Sequence, residues 1–131
     1  RTIRPAVTLT SSIRESAKFP YSNVETFKGY AYTSRTGRKG DWVLYTFDEP
    51  VSCREMLLRT GYSHLTKMQF VTGYAEVSYD GRTFERAGEL DEGAILLRPE
   101  RSVKAVRLVC TSDGNGTPIV VVMPPEIKPV L

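Results

Sequence analysis

The sequence is poor in the residue types that most often carry catalysis or metal binding. Its 131 residues include one histidine, His64, one tryptophan and two cysteines. Serine-hydrolase chemistry needs a histidine base and a nucleophile on a glycine-flanked turn, and no serine here has such glycines. CxxC, HExxH and GxGxxG motifs are also missing. These absences argue against a zinc site and against most enzyme classes.

Paired carboxylates are the remaining route to catalysis, because glycoside hydrolysis needs two of them on opposing walls. The candidates by residue type are Glu85, Glu89, Asp91 and Glu92. They lie in or just after one predicted strand, in a sequence typical of a solvated sheet edge. We therefore expect that the chain is not an enzyme.

Long apolar runs and dense charge are lacking too. The longest apolar run covers residues 119–123, far short of the roughly 20 residues of a membrane helix, so no membrane insertion is expected. The net charge is +3 with a pI near 9.0, and the basic residues form no dense stripe, so nucleic acid is not an expected partner. Length and a 40% hydrophobic fraction fit one domain over residues 1–131. Because the chain opens on Arg1, we interpret it as a piece of a longer or processed protein.

Short alternating segments separated by Gly, Pro and Asp indicate an all-β fold. Strands are predicted near residues 7–12, 30–34, 42–47, 54–60, 72–79, 83–88, 94–97, 103–111 and 119–123, with at most a helical turn at 23–28. Many short strands of this kind form a sandwich or a barrel. Residues 119–122 are apolar on both faces, which predicts a strand covered on both sides.

Two local features, one turn and the pair of cysteines, carry further predictions. Asp80-Gly81 favours a two-residue hairpin with positive φ at both positions and a second strand from about Arg82. Cys110 is in phase with a buried face, whereas Cys53 follows a proline at a strand start; two free thiols are favoured over a disulfide.

Several segments, taken in order, resemble one family. Residues 73–85 resemble the "VSxDGxxF/W" segment of the discoidin family, the coagulation factor V and VIII type C domains, whose bacterial members include carbohydrate-binding module family 32. Residues 40–47 and Pro50-Val51 are similar to its "WvxvDLGxxxxV" strand, although Thr46 replaces the acidic residue. Residues 103–109 and 119–127 are similar to its "xxRYVRL" and closing strands. The resemblance is greatest to the C-terminal domains of bacterial family 20 β-N-acetylhexosaminidases (chitobiase-like enzymes), and the family position of Trp42 implies a core role.

The resemblance implies a jelly-roll β-sandwich of eight or nine antiparallel strands, cut from the C-terminus of a glycoside hydrolase. It implies a non-catalytic module that tethers the parent catalytic domain to N-acetylhexosamine- or galactose-terminated glycans, in the periplasm, at the cell surface or outside a bacterium. One alternative is a structural domain that packs on the catalytic domain and binds no ligand. Another is an adhesion module, which is disfavoured because no loop pairs exposed large apolar side chains.

Sugar binding requires an aromatic face and a few planar donors and acceptors on loops at one end of the sandwich. Three loops offer them, through Tyr62 and His64, through Asp113 and Asn115, and through Tyr32, Arg35 and Arg38. Each has a structural alternative: Tyr62 and His64 can cap the sandwich, and Tyr30 and Tyr32 can pack beneath a loop.

A structural calcium ion is the one cofactor that the resemblance implies. Calcium needs several oxygen ligands with at least one carboxylate. The matching early loop offers Asn23 and Glu25 but no Asp-Gly-Asn sequence, so these two residues are weak candidates.

Overall fold

Two antiparallel layers form the molecule, as a computed structural model shows for residues 1–62, 67–114 and 116–131. Ten strands and one short helix are present in that part of the chain. They are β1 (Val7–Ser11), α1 (Ser22–Glu25), β2 (Ala31–Tyr32), β3 (Trp42–Val51), β4 (Glu55–Arg59), β5 (Gly73–Ser78), β6 (Glu85–Glu89), β7 (Ala94–Leu97), β8 (Val103–Cys110), β9 (Val121–Val122) and β10 (Glu126–Lys128).

One layer is a five-stranded sheet in the order β1-β3-β8-β5-β6. The other combines the sheet β10-β4-β7 with the pair β2-β9, which a bridge between Thr60 and Val122 joins. Buried side chains from both layers meet in a single hydrophobic cluster. This is the predicted all-β sandwich, with β9 covered on both sides as expected, since Val121 and Val122 are both 0% exposed.

Strand alternation sets which face of β3 is buried. Val43, Tyr45 and Phe47 are fully buried, and Trp42 and Leu44 lie half-buried on the opposite face. The predicted core role of Trp42 is therefore wrong. Because its side chain has the opposite phase to Val43, it belongs to the outer face of the five-stranded sheet.

The connection at Asp80-Gly81 is longer than the predicted two-residue hairpin. Strand β5 ends at Ser78 and β6 begins at Glu85, and only Gly81 has a positive φ, of 83°. The Asp80 carboxylate instead accepts the backbone N–H groups of Arg82 and Thr83, both at 2.8 Å. Asp80 thus stabilises a wider turn through its side chain rather than through a left-handed backbone.

Strand β10 was not predicted from its own pattern, because prolines at positions 124, 125 and 129 surround three residues. It pairs with β4 at a sheet edge, where flanking prolines are tolerated.

Cys53 and Cys110 are free and buried, which confirms the favoured thiol state. Among the described residues, none of the helical structure is long and apolar enough to cross a membrane.

Candidate functional site

Topology brings the predicted loops to one end of the sandwich. Strands β1, β2, β4, β6 and β8 end there, and β3, β5, β7 and β9 begin there. We call this the loop end. Tyr32, Arg35, Arg38, Tyr62 and Asp113 all lie in or next to it. His64 and Asn115 are outside the described residues, and their predicted roles stay predictions.

Four aromatic rings form a cluster beside this end, which we call the aromatic cluster: Phe19, Tyr30, Tyr32 and Tyr62. Phe19 lies 4.3 Å from Tyr32 between ring centroids, and Tyr30 and Tyr32 stack at 5.4 Å. Tyr62 meets Tyr30 edge-on at 5.3 Å. These separations are those of favourable aromatic pairs. The cluster is half-buried, so part of its surface reaches solvent.

The sequence places these rings away from the core through strand alternation. Tyr30 and Tyr32 alternate with the buried Ala31 and Thr33, so they project from the other side of β2. The Tyr32 N–H donates to the Phe19 carbonyl at 2.9 Å, which holds Phe19 beside the strand. Val121, the partner of Tyr32 across β2-β9, is 0% exposed. The aromatic cluster therefore covers β9 from outside.

The hydroxyl groups of Tyr32 and Tyr62 form a short hydrogen bond of 2.6 Å. Burial first, and then this bond to Tyr32, raises the pKa of Tyr62 well above its usual range. The Tyr62 phenol is thus protonated at neutral pH. The pair joins β2 to the segment that follows β4, and its hydroxyl groups lie next to apolar ring surface.

A second group of residues, the Asp41 network, organises the neighbouring loop. The Arg35 guanidinium donates to both Asp41 carboxylate oxygens at 2.7 and 3.1 Å. Asp41 also accepts the Arg38 backbone N–H at 2.8 Å and the Ser12 hydroxyl at 2.9 Å. Asp41 is only 7% exposed. Such charge-assisted, bidentate bonding fixes the 35–41 loop on β1.

The electrostatics of Asp41 follow from these contacts. Burial on its own raises the pKa of the carboxyl, but the hydrogen bonds from Arg35, Arg38 and Ser12 outweigh it and lower the pKa overall. Asp41 is thus ionised at neutral pH, and the same bond raises the pKa of Arg35. The guanidinium of Arg35 is occupied by this pair, which gives Arg35 a positioning role.

Arg38 and Asp113 have less restrained side chains. The Arg38 side chain is exposed, and only its backbone N–H is bound in the Asp41 network. Asp113 is exposed as well, and its carboxylate accepts the Lys39 N–H at 3.3 Å. The structure therefore brings Tyr32 and Tyr62 into direct contact, whereas Arg35 and Arg38 lie on the adjacent 35–41 loop and Asp113 lies on the loop after β8.

Two members of these groups were missed as site residues, Phe19 and Asp41. Phe19 lies in a stretch without strand alternation, and only its contact with β2 reveals it. Asp41 directly precedes the Trp42 strand and follows three basic residues in seven positions, a pattern that could have indicated a buried ion pair.

The candidate calcium ligands are engaged with protein groups. The Asn23 side-chain amide donates to the Tyr30 carbonyl at 3.2 Å, and the Glu25 carboxylate accepts the Leu9 N–H at 2.9 Å. Within the described ranges there is no group of three or more His, Cys, Asp or Glu side chains able to hold a metal ion. Asn23 and Glu25 therefore do not fit a calcium site, and we derive no role for a metal from them.

Comparison with known proteins identifies the fold. No protein-family model matches the sequence, and no curated protein matches it. Solved structures do match over nearly their whole length. A family 32 module of C. perfringens NanJ in complex with galactose aligns with a TM-score of 0.65 at 10% identity, covering 96% of this chain and 97% of that one. The fold is that of the family 32 carbohydrate-binding modules.

Two further structures support the same fold. Chitosan-binding module 1 of a Paenibacillus chitosanase/glucanase has a TM-score of 0.68 at 18% identity, covering 97% of this chain and 98% of that one. A Clostridium perfringens family 32 module in complex with GalNAc-β-1,3-galactose has a TM-score of 0.67 at 12% identity, covering 94% and 95%. At these identities the likeness concerns the fold, and the prediction that this chain is not an enzyme stays a prediction.

Proposed function

We propose that the protein is a non-catalytic carbohydrate-binding module that binds glycans at the loop end through the aromatic cluster. The observation that carries this proposal is the Tyr32–Tyr62 hydroxyl pair, held at 2.6 Å within four packed rings at that end. A pyranose has an apolar face and a rim of hydroxyl groups. Half-buried rings with adjacent hydroxyls offer matching chemistry for both.

The Asp41 network supports the proposal by making the neighbouring loop rigid. A loop held by four hydrogen bonds to one carboxylate loses little conformational entropy when a ligand binds. The exposed Arg38 side chain on this loop can then contact sugar hydroxyls without reordering the backbone, and Asp113, on the loop after β8, lies beside it through the Lys39 N–H.

The ligands named for the solved structures suggest where to look for a sugar. They are galactose, GalNAc-β-1,3-galactose and chitosan. We propose galactose- or N-acetylhexosamine-terminated glycans as ligands. We also propose that the module tethers a glycoside hydrolase, of the chitobiase-like hexosaminidase kind, in the periplasm or at the surface of a bacterium. Tethering multiplies a weak single-site affinity through effective concentration.

The test is titration of the chain with these glycans, comparing wild type with Tyr62→Ala and Tyr62→Phe. Removing the Tyr62 ring should weaken binding about tenfold, since ring stacking contributes roughly 1 kcal/mol or more. Tyr62→Phe keeps the ring and should retain more of the affinity. Thermal unfolding of each variant checks that the fold is intact.

A matched control is Tyr79→Ala. Tyr79 follows β5 at the opposite end of the sandwich, is half-buried, and stacks under Arg101 with the guanidinium 4.1 Å from the ring centroid. Its removal should leave glycan affinity unchanged. If wild type binds none of the glycans, the structural alternative, a domain that packs on its catalytic partner without a ligand, replaces this proposal.

A further inference from the structure

Positive charge without an ionic partner is concentrated in the segment that contains three of the four rings of the aromatic cluster. Residues 12–41 carry six cations and three carboxylates, an excess equal to the net charge of +3 of the entire chain. Five of the six cations are exposed and form no ion pair with any other described residue: Arg14, Lys18, Lys28, Arg38 and Lys39. Only Arg35 is paired, with Asp41.

These cations flank the rings along the chain. Lys18 directly precedes Phe19, and Lys28 lies two residues before Tyr30. The Arg14 carbonyl accepts the Ser34 N–H at 2.8 Å, which brings that segment beside the end of β2. Arg38 and Lys39 form the turn that precedes β3.

Most cations outside residues 12–41 are accommodated by the protein itself. Arg98 and Lys128 pair with Glu55, and Arg107 pairs with Glu76. Other cations stack on aromatic rings or donate to the backbone: Arg4, Arg86, Arg101 and Lys104. Exposed cations without an ion pair are thus most frequent in residues 12–41, although others, such as Arg54 and Arg82, lie elsewhere in the described chain.

The three carboxylates in the same stretch accept hydrogen bonds from groups of the protein itself. Glu15 accepts the Tyr21 N–H at 3.0 Å, Glu25 accepts the Leu9 N–H at 2.9 Å, and Asp41 is enclosed in its network. None of the three forms an ion pair with the five exposed cations in the described part of the chain.

We propose that the loop end selects acidic glycans, in which the pyranose rings carry carboxylate or sulfate groups. This inference rests on the proposed function and adds the charge of the ligand to it. The rings contact the apolar sugar face, and the surrounding cations attract the anionic substituents. Exposed charges act over about 10 Å at 0.1 M salt, so the attraction reaches across the site but weakens as salt rises.

The experiment compares matched acidic and neutral ligands at low and high salt. Oligogalacturonate is paired with its methyl ester, sialylated galactose with galactose, and sulfated galactose with galactose. The first two pairs test carboxylate and the third tests sulfate. We expect tighter binding of the acidic member in at least one class. The difference should shrink between 50 mM and 500 mM salt, because the screening length falls from about 14 Å to about 4 Å.

Charge variants locate the effect on the molecule. The triple variant Arg14→Gln, Lys18→Gln and Lys28→Gln should weaken acidic-glycan binding by about two- to fivefold for each cation, and leave neutral-glycan binding unchanged. The control is the double variant Arg54→Gln and Arg82→Gln. Both residues are exposed and outside the 12–41 stretch, and neither forms an ion pair with another described residue. The control should bind as wild type does.

Three outcomes would overturn the inference. If acidic and neutral glycans bind equally well and Tyr62→Ala weakens both, the proposed function is supported and the selection of acidic glycans is wrong. Binding to single-stranded DNA or anionic vesicles as tightly as to acidic glycans, unchanged by Tyr62→Ala, indicates a general polyanion surface. Failure to bind any glycan removes both proposals together.

Discussion

Two of the regions that hold aromatic side chains outside the core differ in the partners of their rings. On the outer face of the five-stranded sheet, the Arg86 guanidinium lies 3.5 Å from the Tyr74 ring centroid, and that of Arg107 lies 4.2 Å from Phe84. In the aromatic cluster, Tyr32 and Tyr62 instead contact other rings and each other's hydroxyls. On the sheet face, each of these rings contacts an arginine of the same chain. Near the cluster, the neighbouring cations in the sequence, other than Arg35, form no ion pair with described residues.

This difference shows why residue type alone does not locate a binding site. Trp42 and Tyr74 look as suitable for stacking on a sugar as Tyr62 does. Tyr74 is already covered by a cation of the same chain, and Arg107 is held by Glu76 at 2.7 Å. A ligand would have to displace these contacts, so the loop end is the less costly place to bind.

The two regions also contain the same Arg–carboxylate chemistry at different depth. The Asp41 side chain is 9% exposed and that of Glu76 21%, while their partners Arg35 and Arg107 are similarly exposed at 36% and 31%. Asp41→Asn should lower the free energy of unfolding by about 2 kcal/mol, because the buried carboxylate accepts four hydrogen bonds that the amide cannot all replace. Glu76→Gln should cost less than about 1 kcal/mol. Urea unfolding at pH 7 measures both, and equal costs would contradict the assigned role of Asp41.

The Tyr32–Tyr62 hydroxyl pair should contribute measurable coupling within the cluster. A double-mutant cycle with Tyr32→Phe and Tyr62→Phe is expected to give about 0.5–1.5 kcal/mol. Tyr74→Phe serves as the control on the sheet face and should have little effect. Additive single substitutions would show that the 2.6 Å contact does not stabilise the cluster.

Removing the cation from the sheet face should have a smaller effect. Arg86→Ala uncovers Tyr74 and should destabilise the protein by about 0.5–1 kcal/mol, the usual range for an exposed cation–π contact. Arg82→Ala, an exposed neighbour, should be close to neutral. Thermal unfolding compares the two variants. If both variants unfold at the same temperature, the contact between Arg86 and Tyr74 does not stabilise the protein.

The smallest effect concerns the turn at Asp80. Hydrogen bonds from the Thr83 and Arg82 backbones lower the pKa of Asp80 from 3.8 to about 2. A lowered pKa stabilises the fold above the unfolded value, and that stabilisation is lost as pH falls from about 4 to 2. Asp80→Asn should therefore be less stable at pH 7 and lose less stability across that window. A variant with the same acid dependence as wild type would contradict this.

Alternation and turn residues were sufficient to predict most of the fold. Tyr45 and Phe47 are buried as their phase requires, and nine of the strands lie within or close to their predicted segments. The exceptions have physical reasons. Strand β10 depends on pairing with β4, and Asp80 uses a side-chain bond that outweighs the usual Asp-Gly turn.

The site was less predictable, because its key contacts join residues distant in sequence. Tyr32 and Tyr62 were both proposed as ligand contacts, but their hydrogen bond spans 30 residues and leaves no local pattern. Arg35 was proposed as a ligand contact, and the buried Asp41 takes its guanidinium instead. Phe19 joins the cluster through its backbone bond to Tyr32 and its ring contacts with Tyr30 and Tyr32, none of which a local sequence pattern indicates.

Mapping of backbone amide chemical shifts during titration with galactose-, GalNAc- and galacturonate-containing oligosaccharides tests the central claim most directly. We predict that the shifts concentrate at Phe19, Tyr30, Tyr32, Tyr62 and the 33–41 loop, and that Tyr74 and Arg86 on the sheet face do not respond. Shifts centred on Tyr74 and Arg86, or none with any of these sugars, would contradict the assignment of glycan binding to the loop end.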